Sequence, residues 1–240
     1  MGSLCANENE KSVGLFRRIV GSFWFNLLAA FFVLAVMQLF VVKLYSVPSG
    51  SMENTLEIGD KVLVSRLAYI GSEPTVGDVV VFDASATWDE SRERPTNPIE
   101  YAVKWLGGLI GVGPSLDHTL VKRVVAGPGQ TIACCGDTGQ MLVDGEPLEE
   151  PYVVNDFLFV PGQVDCSTEP MSRRCVDEFT VPAEQYVVLG DSRANSSDSL
   201  IECRGSSASD NCVRTVQRSD IVGKLFTVVW PIGNLGAPAG

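Results

Sequence analysis

An uncharged apolar stretch near the N-terminus constrains this 240-residue chain more than any other feature. No charged residue lies between Arg18 and Lys43, and residues 23–42 are apolar apart from Asn26 and Gln38. As an α-helix these residues would be roughly 30 Å long, which matches the hydrocarbon layer of a membrane. A helix of that length that is apolar on every side is seldom found in a soluble protein. The stretch therefore predicts a membrane-spanning helix.

The same stretch could instead be the core of a cleaved signal peptide, with the small residues at 49–51 as the cut site. Such cores usually run about 7–15 residues, so this one is too long, and we predict a retained transmembrane helix at 23–43. More basic residues precede the helix than closely follow it, which favours a cytoplasmic tail at 1–22. The residues compared are Lys11, Arg17 and Arg18 on one side and Lys43 and Lys61 on the other. The pattern predicts a single-pass protein of the cell membrane whose remaining part is extracytoplasmic.

Two pairs of cysteines have the spacing of small disulfide-closed loops. Cys166 and Cys175 are nine positions apart, as are Cys203 and Cys212, and each pair encloses a polar, turn-rich segment. Such loops close readily in an oxidising compartment, which agrees with an extracytoplasmic location. The adjacent cysteines at 134–135 could bridge each other, pair elsewhere or stay reduced, and the sequence does not decide.

Neither a metal nor nucleic acid is indicated by the composition. No Cys-x-x-Cys occurs and His118 is the only histidine, so a zinc site lacks its usual ligands; we predict no metal and no cofactor. The formal net charge is −11 and no basic stripe is present, which argues against a nucleic-acid partner.

Beyond the apolar stretch the chain has no sustained helical periodicity and alternates short strands with turns. β-rich runs occur at 61–65, 78–82 and 120–126, and an apolar run at 221–230 closes the series. Between them, Asp144-Gly145 indicates the turn of a hairpin. This part is therefore predicted to be mainly antiparallel β.

A serine peptidase built from this chain would need a base other than histidine. His118 lies in a polar stretch typical of a surface turn, with no sign of an orienting partner, so a Ser-His-Asp triad is not expected. The known substitute is a neutral lysine amine, whose pKa must fall from about 10.4 toward about 7–8.

Lys122 lies in a run where burial could lower its pKa in this way. Residues two apart on a strand share a face, so Lys122 would lie beside Leu120 and Val124, which would strip water from the amine. Arg123 would point to the opposite face, where a carboxylate could pair with it. The alternative is an ordinary edge-strand lysine that prevents aggregation.

Ser51 is the serine whose surroundings suit a nucleophile. Pro48 stiffens the approach to it, and Gly50 lets the backbone turn tightly and a substrate come close. The Ser49 hydroxyl and the Ser51 backbone N–H are near enough in sequence to donate together to a developing oxyanion. A flexible Ser-Gly-Ser linker leaving the membrane is the alternative.

Four segments resemble, in order, the signature motifs of bacterial type I signal peptidases. They are Pro48-Ser49-Gly50-Ser51-Met52 followed by Thr55-Leu56, Gly77-Asp78-Val79-Val80-Val81-Phe82, Lys122-Arg123-Val124-Val125 leading to Gly127-Pro128-Gly129, and Gly190-Asp191-Ser192-Arg193 leading to Ser196, Asp198 and Ser199. Each motif is weak alone, but four in this order after an apolar stretch are specific. The resemblance runs to about residue 230 and implies the fold that signal peptidase I shares with SOS-repressor-like peptidases. That fold would comprise an antiparallel β catalytic domain at 44–130 and 186–232, a small β insertion domain at 131–185, and a tail at 233–240.

The resemblance implies roles for the residues of the site. Ser51 would attack the scissile carbonyl, and Lys122 would act first as general base and then as general acid. Ser49 would donate to the oxyanion, and the Ser196 hydroxyl would orient the Lys122 amine.

Charged residues would support this centre, although the chain departs from the family pattern around them. Asp191 would pair with Arg123, and Asp198 would normally act through an arginine two residues on. Leu200 stands at that arginine's position, so Asp198 must find another partner, either Arg193 or Arg204. The other departures are Asn54 for a usual proline and Ser192 for a usual asparagine.

The family removes signal peptides from exported preproteins, and it cuts after small residues at the first and third positions before the cut. That specificity requires two shallow apolar pockets beside the nucleophile. The strand pattern suggests as lining residues Met52, Ile58, Val79, Val81 and Leu120. The expected partners are signal peptides, the protein-export channel and the lipid bilayer, which Trp105 and Leu109 could enter.

Two other interpretations remain open from the sequence. A self-cleaving repressor-like peptidase shares the dyad and the β-fold, but the apolar stretch and the lack of a basic DNA-reading helix argue against it. A disulfide-stapled, membrane-tethered binding domain without catalysis predicts that Lys122 is exposed and far from Ser51. The enzyme predicts that their polar atoms lie within about 2.6–3.5 Å.

Overall fold

The computed structural model describes residues 22–84, 88, 119–204 and 212–238. The chain forms two compact units, one ending at Val41 and the other beginning at Val42. The basic residues of the N-terminal tail, the apolar run that contains Trp105 and Leu109, and His118 lie outside the described residues.

The first unit contains the helix α1 (Phe23–Phe40). Its sequence is rich in leucine, alanine and phenylalanine and contains neither glycine nor proline, which suits a helix interior. Large side chains along it are exposed, including Phe23, Trp24 and Phe32. Among the residues described, no helix combines the length and the apolar character needed to cross a membrane. The transmembrane helix predicted at 23–43 is therefore not confirmed.

The second unit is built from short strands. In chain order they are β1 (Val42–Ser46), β2 (Lys61–Ser65), β3 (Val79–Asp83), β4 (Thr119–Ala126), β5 (Thr131–Cys134), β6 (Met141–Val143), β7 (Glu146–Pro147), β8 (Val176–Thr180), β9 (Gln185–Leu189), β10 (Val216–Gln217) and β11 (Ile221–Trp230). Seven of them form one antiparallel sheet in the order β1-β2-β11-β3-β4-β9-β10. The mainly antiparallel β architecture predicted from the sequence is confirmed.

Both faces of the large sheet are buried at β3. Val79 and Val81 of β3 enter one apolar cluster, whereas Val80 and Phe82 enter another on the opposite side. This alternation follows from the two-residue period of a strand, and an apolar side chain at every position of the strand is what burial on two faces requires. The strand β4 lies between β3 and β9, so it is an interior strand and Lys122 is not an edge-strand lysine.

The remaining strands form a smaller sheet in the order β7-β6-β5-β8. The chain turns from β6 to β7 through Asp144 and Gly145, both at positive φ, as a two-residue hairpin of this kind requires. The hairpin predicted from Asp-Gly is thus confirmed. A third apolar cluster joins the two sheets, because Ile132 of β5 and Leu189 of β9 both belong to it.

Candidate active site

Ser51 lies in a single turn of 3₁₀-helix, Gly50–Met52, that follows β1. The next side chains anchor this turn, since Met52 and Leu56 are each only 1% exposed in the core. The Glu53 N–H donates to the Gly50 carbonyl at 3.1 Å and closes this turn. The Leu56 N–H donates to the Met52 carbonyl at 2.7 Å and closes the next. Ser51 itself is 8% exposed, so its hydroxyl is held at the surface of the core rather than on a flexible linker.

Lys122 lies in the middle of β4, opposite Val80 of β3, and is 3% exposed. Its Nζ lies 2.8 Å from Ser51 Oγ and 3.1 Å from the Val121 carbonyl oxygen. The first distance is within the reach that the sequence analysis required of a peptidase. Lys122 is buried and next to Ser51, which is the opposite of what a non-catalytic binding domain predicts.

Burial lowers the pKa of the Lys122 amine from 10.5 to about 8. Loss of water penalises the ammonium form, and the negative charges of Asp198 and Asp191 oppose this shift without cancelling it. A substantial fraction of the amine is therefore neutral at mildly alkaline pH. In that form its lone pair can accept the proton of the Ser51 hydroxyl.

The end of β9 makes room for the serine. The last residue pair between β4 and β9 joins Arg123 to Leu189, and Gly190 follows at the strand end. A Cβ at Gly190 would lie 2.6 Å from the Ser51 carbonyl oxygen and 2.3 Å from Ser196 Oγ. Only glycine allows this close approach, which explains the residue before Asp191 in physical terms.

Behind the serine, Arg123 and Asp191 form a buried, two-pronged ion pair. Arg123 Nε and Nη2 donate to the two Asp191 carboxylate oxygens at 3.0 and 2.8 Å, and the side chains are 2% and 1% exposed. Arg123 Nη1 also donates to the Gly77 carbonyl at 2.9 Å, and the Thr55 hydroxyl donates to Asp191. The Tyr152 ring lies 3.8 Å from the guanidinium carbon. The pair thus contacts three further segments of the chain, those of Thr55, Gly77 and Tyr152.

Asp198 takes Arg204 as its partner. Arg204 Nη1 lies 3.2 Å from Asp198 Oδ1, and the backbone N–H of Gly190 donates to Oδ2 at 3.3 Å. Arg193, the other possibility that the sequence left open, pairs with Glu150. Leu200, at the usual arginine position, is instead 1% exposed and packs in the core.

Ser49 and Ser196, the other serines to which the family resemblance gives roles, are placed differently from each other. Ser49 is exposed and extended, and it makes no side-chain hydrogen bond that caps the 3₁₀-helix. Ser196 is 5% exposed, and its Oγ has no hydrogen-bond partner within the described part of the chain. The hydrogen bond from Ser196 to the Lys122 amine that the family resemblance implies is therefore not formed in this structure.

Of the five residues suggested as pocket lining, three lie together in one core cluster and two lie apart from it. Met52, Val79 and Val81 are 0–3% exposed within one core cluster, and Leu120 packs against a different cluster. Ile58 is 69% exposed, and its Cδ1 would lie 3.8 Å from a Cβ at Gly50, so it is close to the turn that contains Ser51.

Three disulfides occur among the described residues. Cys166 pairs with Cys175 and Cys203 with Cys212, while Cys134 and Cys135 bridge each other, which is one of the outcomes left open above. The sulfur atoms of Cys135, Cys166 and Cys175 lie within 4.8 Å of one another. All three are already in disulfides, so they offer no thiolate to a metal ion.

A further group of residues around the site was not predicted from the sequence. Thr55 follows the turn that contains Ser51, and its hydroxyl donates to Asp191. Glu150, Tyr152 and Asn155 come from a loop between β7 and β8. Thr55 could have been found, since it is part of the first motif. No local pattern marks the other three, because only the tertiary fold brings their loop to the site.

Comparison with known proteins identifies the family of the chain. The family model described as "Signal peptidase, peptidase S26" matches residues 20–230. A probable signal peptidase I of Mycobacterium leprae is 35% identical over 215 residues, which cover 84% of this chain and 73% of that protein. A signal peptidase I of Mycobacterium tuberculosis is 35% identical over 209 residues, which cover 84% and 69%.

Among solved structures, a signal peptidase I from Enterococcus faecalis V583 aligns with 64% of this chain and 97% of its own. The TM-score is 0.33 and the identity 21%, too low to inform the fold. The family match spans most of the sequence and includes all four motifs, and two relatives reach 35% identity over most of their length. The chain therefore belongs to the signal peptidase family, peptidase S26.

Proposed function

We propose that this chain is a Ser/Lys endopeptidase that removes signal peptides from exported preproteins, cutting after small residues at the first and third positions before the cut. The observation that carries the proposal is the 2.8 Å contact between Lys122 Nζ and Ser51 Oγ in a buried setting. The relatives named signal peptidase I support the choice of substrate.

The proposed mechanism uses the lysine twice. Neutral Lys122 accepts the proton of Ser51 Oγ while the oxygen attacks the scissile carbonyl carbon. The Ser51 N–H and the Ser49 hydroxyl donate to the oxyanion of the tetrahedral intermediate. The Lys122 ammonium then protonates the leaving amine of the substrate. Lys122, now neutral again, deprotonates a water molecule, which hydrolyses the acyl-enzyme.

The preprotein assay tests this function directly. Purified enzyme incubated with a preprotein should release a mature protein with a single N-terminus, read by mass spectrometry. The residues first and third before that N-terminus in the preprotein should be small. The Ser51→Ala variant should release none. Cleavage of the same bond by the Ser51→Ala variant would contradict the proposal. Cutting of the chain itself with the preprotein left intact would favour the self-cleaving, repressor-like alternative.

The pH dependence follows from the lowered pKa of Lys122. A general base must be neutral, so kcat for preprotein cleavage should rise with pH and level off above an apparent pKa of about 8. A lysine with its ordinary pKa would still be gaining activity at pH 10. The measurement is kcat from pH 6 to 10, and a profile that falls across pH 8 would contradict a lysine base.

We further propose that the apolar segment 23–42 holds the enzyme at the cell membrane, with the β unit on the extracytoplasmic side beside the export channel. The exposed aromatic side chains of α1 and the three disulfides support this location. In cells making the full chain, alkaline carbonate should leave the protein in the membrane pellet. Protein that is released completely into the supernatant would exclude a membrane-embedded segment.

A further inference from the structure

A segment between β7 and β8, residues 150–155, touches both loops that carry the candidate active site. We call these residues the 150–155 strap. It forms no strand of either sheet, and its one ladder contact is a parallel bridge between Val154 and Ser192. Its contacts therefore serve the two loops rather than a sheet.

Backbone hydrogen bonds tie the strap to the loop that follows β9. The Val154 N–H donates to the Asp191 carbonyl at 2.9 Å, and the Val154 carbonyl accepts from the Arg193 N–H at 3.2 Å. One residue further on, the Ala194 N–H donates to the Asn155 carbonyl at 2.9 Å. The buried ion pair of Arg193 with Glu150 closes the other end of the same attachment.

Side chains tie the strap to the nucleophile loop. Asn54 Nδ2 donates to the Tyr152 carbonyl at 3.2 Å. Asn155 Nδ2 donates to Glu53 Oε2 at 3.1 Å and to Ser192 Oγ at 3.1 Å. The single amide of Asn155 thus joins the loop after Ser51 to the loop after β9.

This junction of Asn155 with Glu53 and Ser192 is connected to Ser51 by a single hydrogen bond. The Ser192 hydroxyl accepts from Asn155, and the Ser192 backbone N–H donates to the Ser51 carbonyl at 3.1 Å. Ser192 therefore links Asn155 to Ser51. Glu53, which accepts from the same amide, lies two residues after Ser51, and its backbone N–H donates to the Gly50 carbonyl at 3.1 Å to close the turn that contains Ser51. Both flanks of the serine are therefore fixed from one side chain.

Two of the positions that depart from the family pattern, Asn54 and Ser192, form hydrogen bonds with the strap. Asn54 has φ 78°, which a proline cannot adopt because its ring fixes φ near −65°. Asparagine tolerates this conformation and adds the donor to Tyr152. Ser192 replaces a usual asparagine and accepts from Asn155. The two departures and the strap therefore form one unit in this chain.

We propose that Asn155 is a positioning residue, which sets the Ser51–Lys122 geometry by joining Glu53 to Ser192. It touches neither reacting atom and acts through the two loops. The inference rests on the proposed Ser/Lys function. A displacement of about 1 Å at a reacting atom can lower a rate by roughly 10²-fold, so a loosened junction should reduce kcat more than substrate binding.

Asn155→Asp tests the junction with an isosteric side chain. The carboxylate can still accept from the Ser192 hydroxyl, but it cannot donate to Glu53 and repels it. We expect kcat to fall by about 10–100-fold, KM to change less than about threefold, and the apparent pKa of the profile to stay near 8, since Lys122 remains buried. An unchanged kcat would overturn the proposal, as would an apparent pKa shifted toward 10.5, which would mean that water had reached Lys122.

Reversing the polarity of the bond supplies the rescue. Glu53→Gln alone keeps an acceptor for Asn155 and should stay within about threefold of wild type. Combined with Asn155→Asp, its amide can donate to the new carboxylate, so kcat should return to within about threefold of the Glu53→Gln enzyme. A general loss of structure would not be restored by this exchange, and a failed rescue would overturn the proposal.

Gln130→Glu is the matched control. Gln130 Nε2 donates to Asp144 at 3.1 Å on the exposed side of the small sheet, so the variant creates the same repulsion away from the site. Its kcat should stay within about twofold of wild type. If Asn155→Asp fails to fold, Glu53→Ala breaks the same bond from the other loop and should lower kcat similarly; an unchanged kcat there would also overturn the proposal. An inactive Ser51→Ala beside a normal Asn155→Asp would reject only the strap, whereas an active Ser51→Ala would reject the proposed function itself.

Discussion

Replacing Lys122 with arginine is expected to lower kcat/KM for preprotein cleavage by at least about 10⁴-fold. A guanidinium cannot lose its proton at any pH at which the protein is folded, so it cannot accept the proton of Ser51. Raising the pH should not recover activity, in contrast to the wild-type profile that levels off above about 8. The measurement is single-turnover cleavage of a preprotein from pH 7 to 10.

Lys122→Met separates loss of the base from loss of the fold. Methionine has a similar length but carries no charge, so it should be equally inactive and yet more stable at neutral pH. Burial lowers the Lys122 pKa from 10.5 to about 8, and each unit is about 1.4 kcal/mol, so keeping the proton in the folded state costs about 3 kcal/mol.

The size of this stability penalty depends on pH. Below pH 8 the folded and unfolded states both hold the proton, and the whole penalty is present. Between pH 8 and 10.5 only the unfolded state holds it, so wild-type stability rises with pH across this window and the penalty disappears above it. In urea denaturation, the free energy of unfolding of the methionine variant should exceed that of wild type by about 3 kcal/mol at pH 7 and by much less at pH 10. A less stable methionine variant at pH 7, or an arginine variant that still cleaves, would contradict the assignment of Lys122.

The parts of the site that the sequence predicted are those encoded within short segments. The two-residue period places Val79 and Val81 of β3 in one apolar cluster and Val80 and Phe82 in another. Lys122 of the neighbouring β4 is buried, as the apolar residues beside it in the sequence indicated. The juxtaposition of Ser51 with Lys122 follows from no local rule. It was predicted only because the order of four motifs resembles a known family.

The parts that could not be predicted depend on loops that meet across the fold. Asn155 reaches Glu53, 102 positions away, from a loop without a periodic pattern. Arg204 pairs with Asp198 in place of the arginine expected at position 200. No sequence feature favoured Arg204 over Arg193, and only the folded structure shows that Arg193 pairs with Glu150. Such choices are made by hydrogen-bond and charge satisfaction in the assembled core, which a strand pattern does not encode.

The buried pair of Arg123 and Asp191 gives the largest expected loss of stability. Asp191→Asn keeps the size of the side chain but removes the charge, so the guanidinium of Arg123 stays buried without its counter-ion. Breaking a buried pair from one side typically costs about 3–5 kcal/mol, because the remaining charge can neither pair nor return to water. We expect a decrease of this size in the free energy of unfolding, measured by urea denaturation at pH 7.

Two further variants show whether the cost comes from the stranded charge. Glu202→Gln removes one partner of an ion pair in which Glu202 is 58% exposed, and it should cost less than about 1 kcal/mol. Adding Arg123→Met to Asp191→Asn removes the stranded guanidinium, so part of the lost stability should return even though more contacts are deleted. If Asp191→Asn cost no more than Glu202→Gln, or the double variant were the less stable of the two, the ion pair would not be what holds the loop after β9 against β4. The position of Gly190 beside Ser51 would then need another cause.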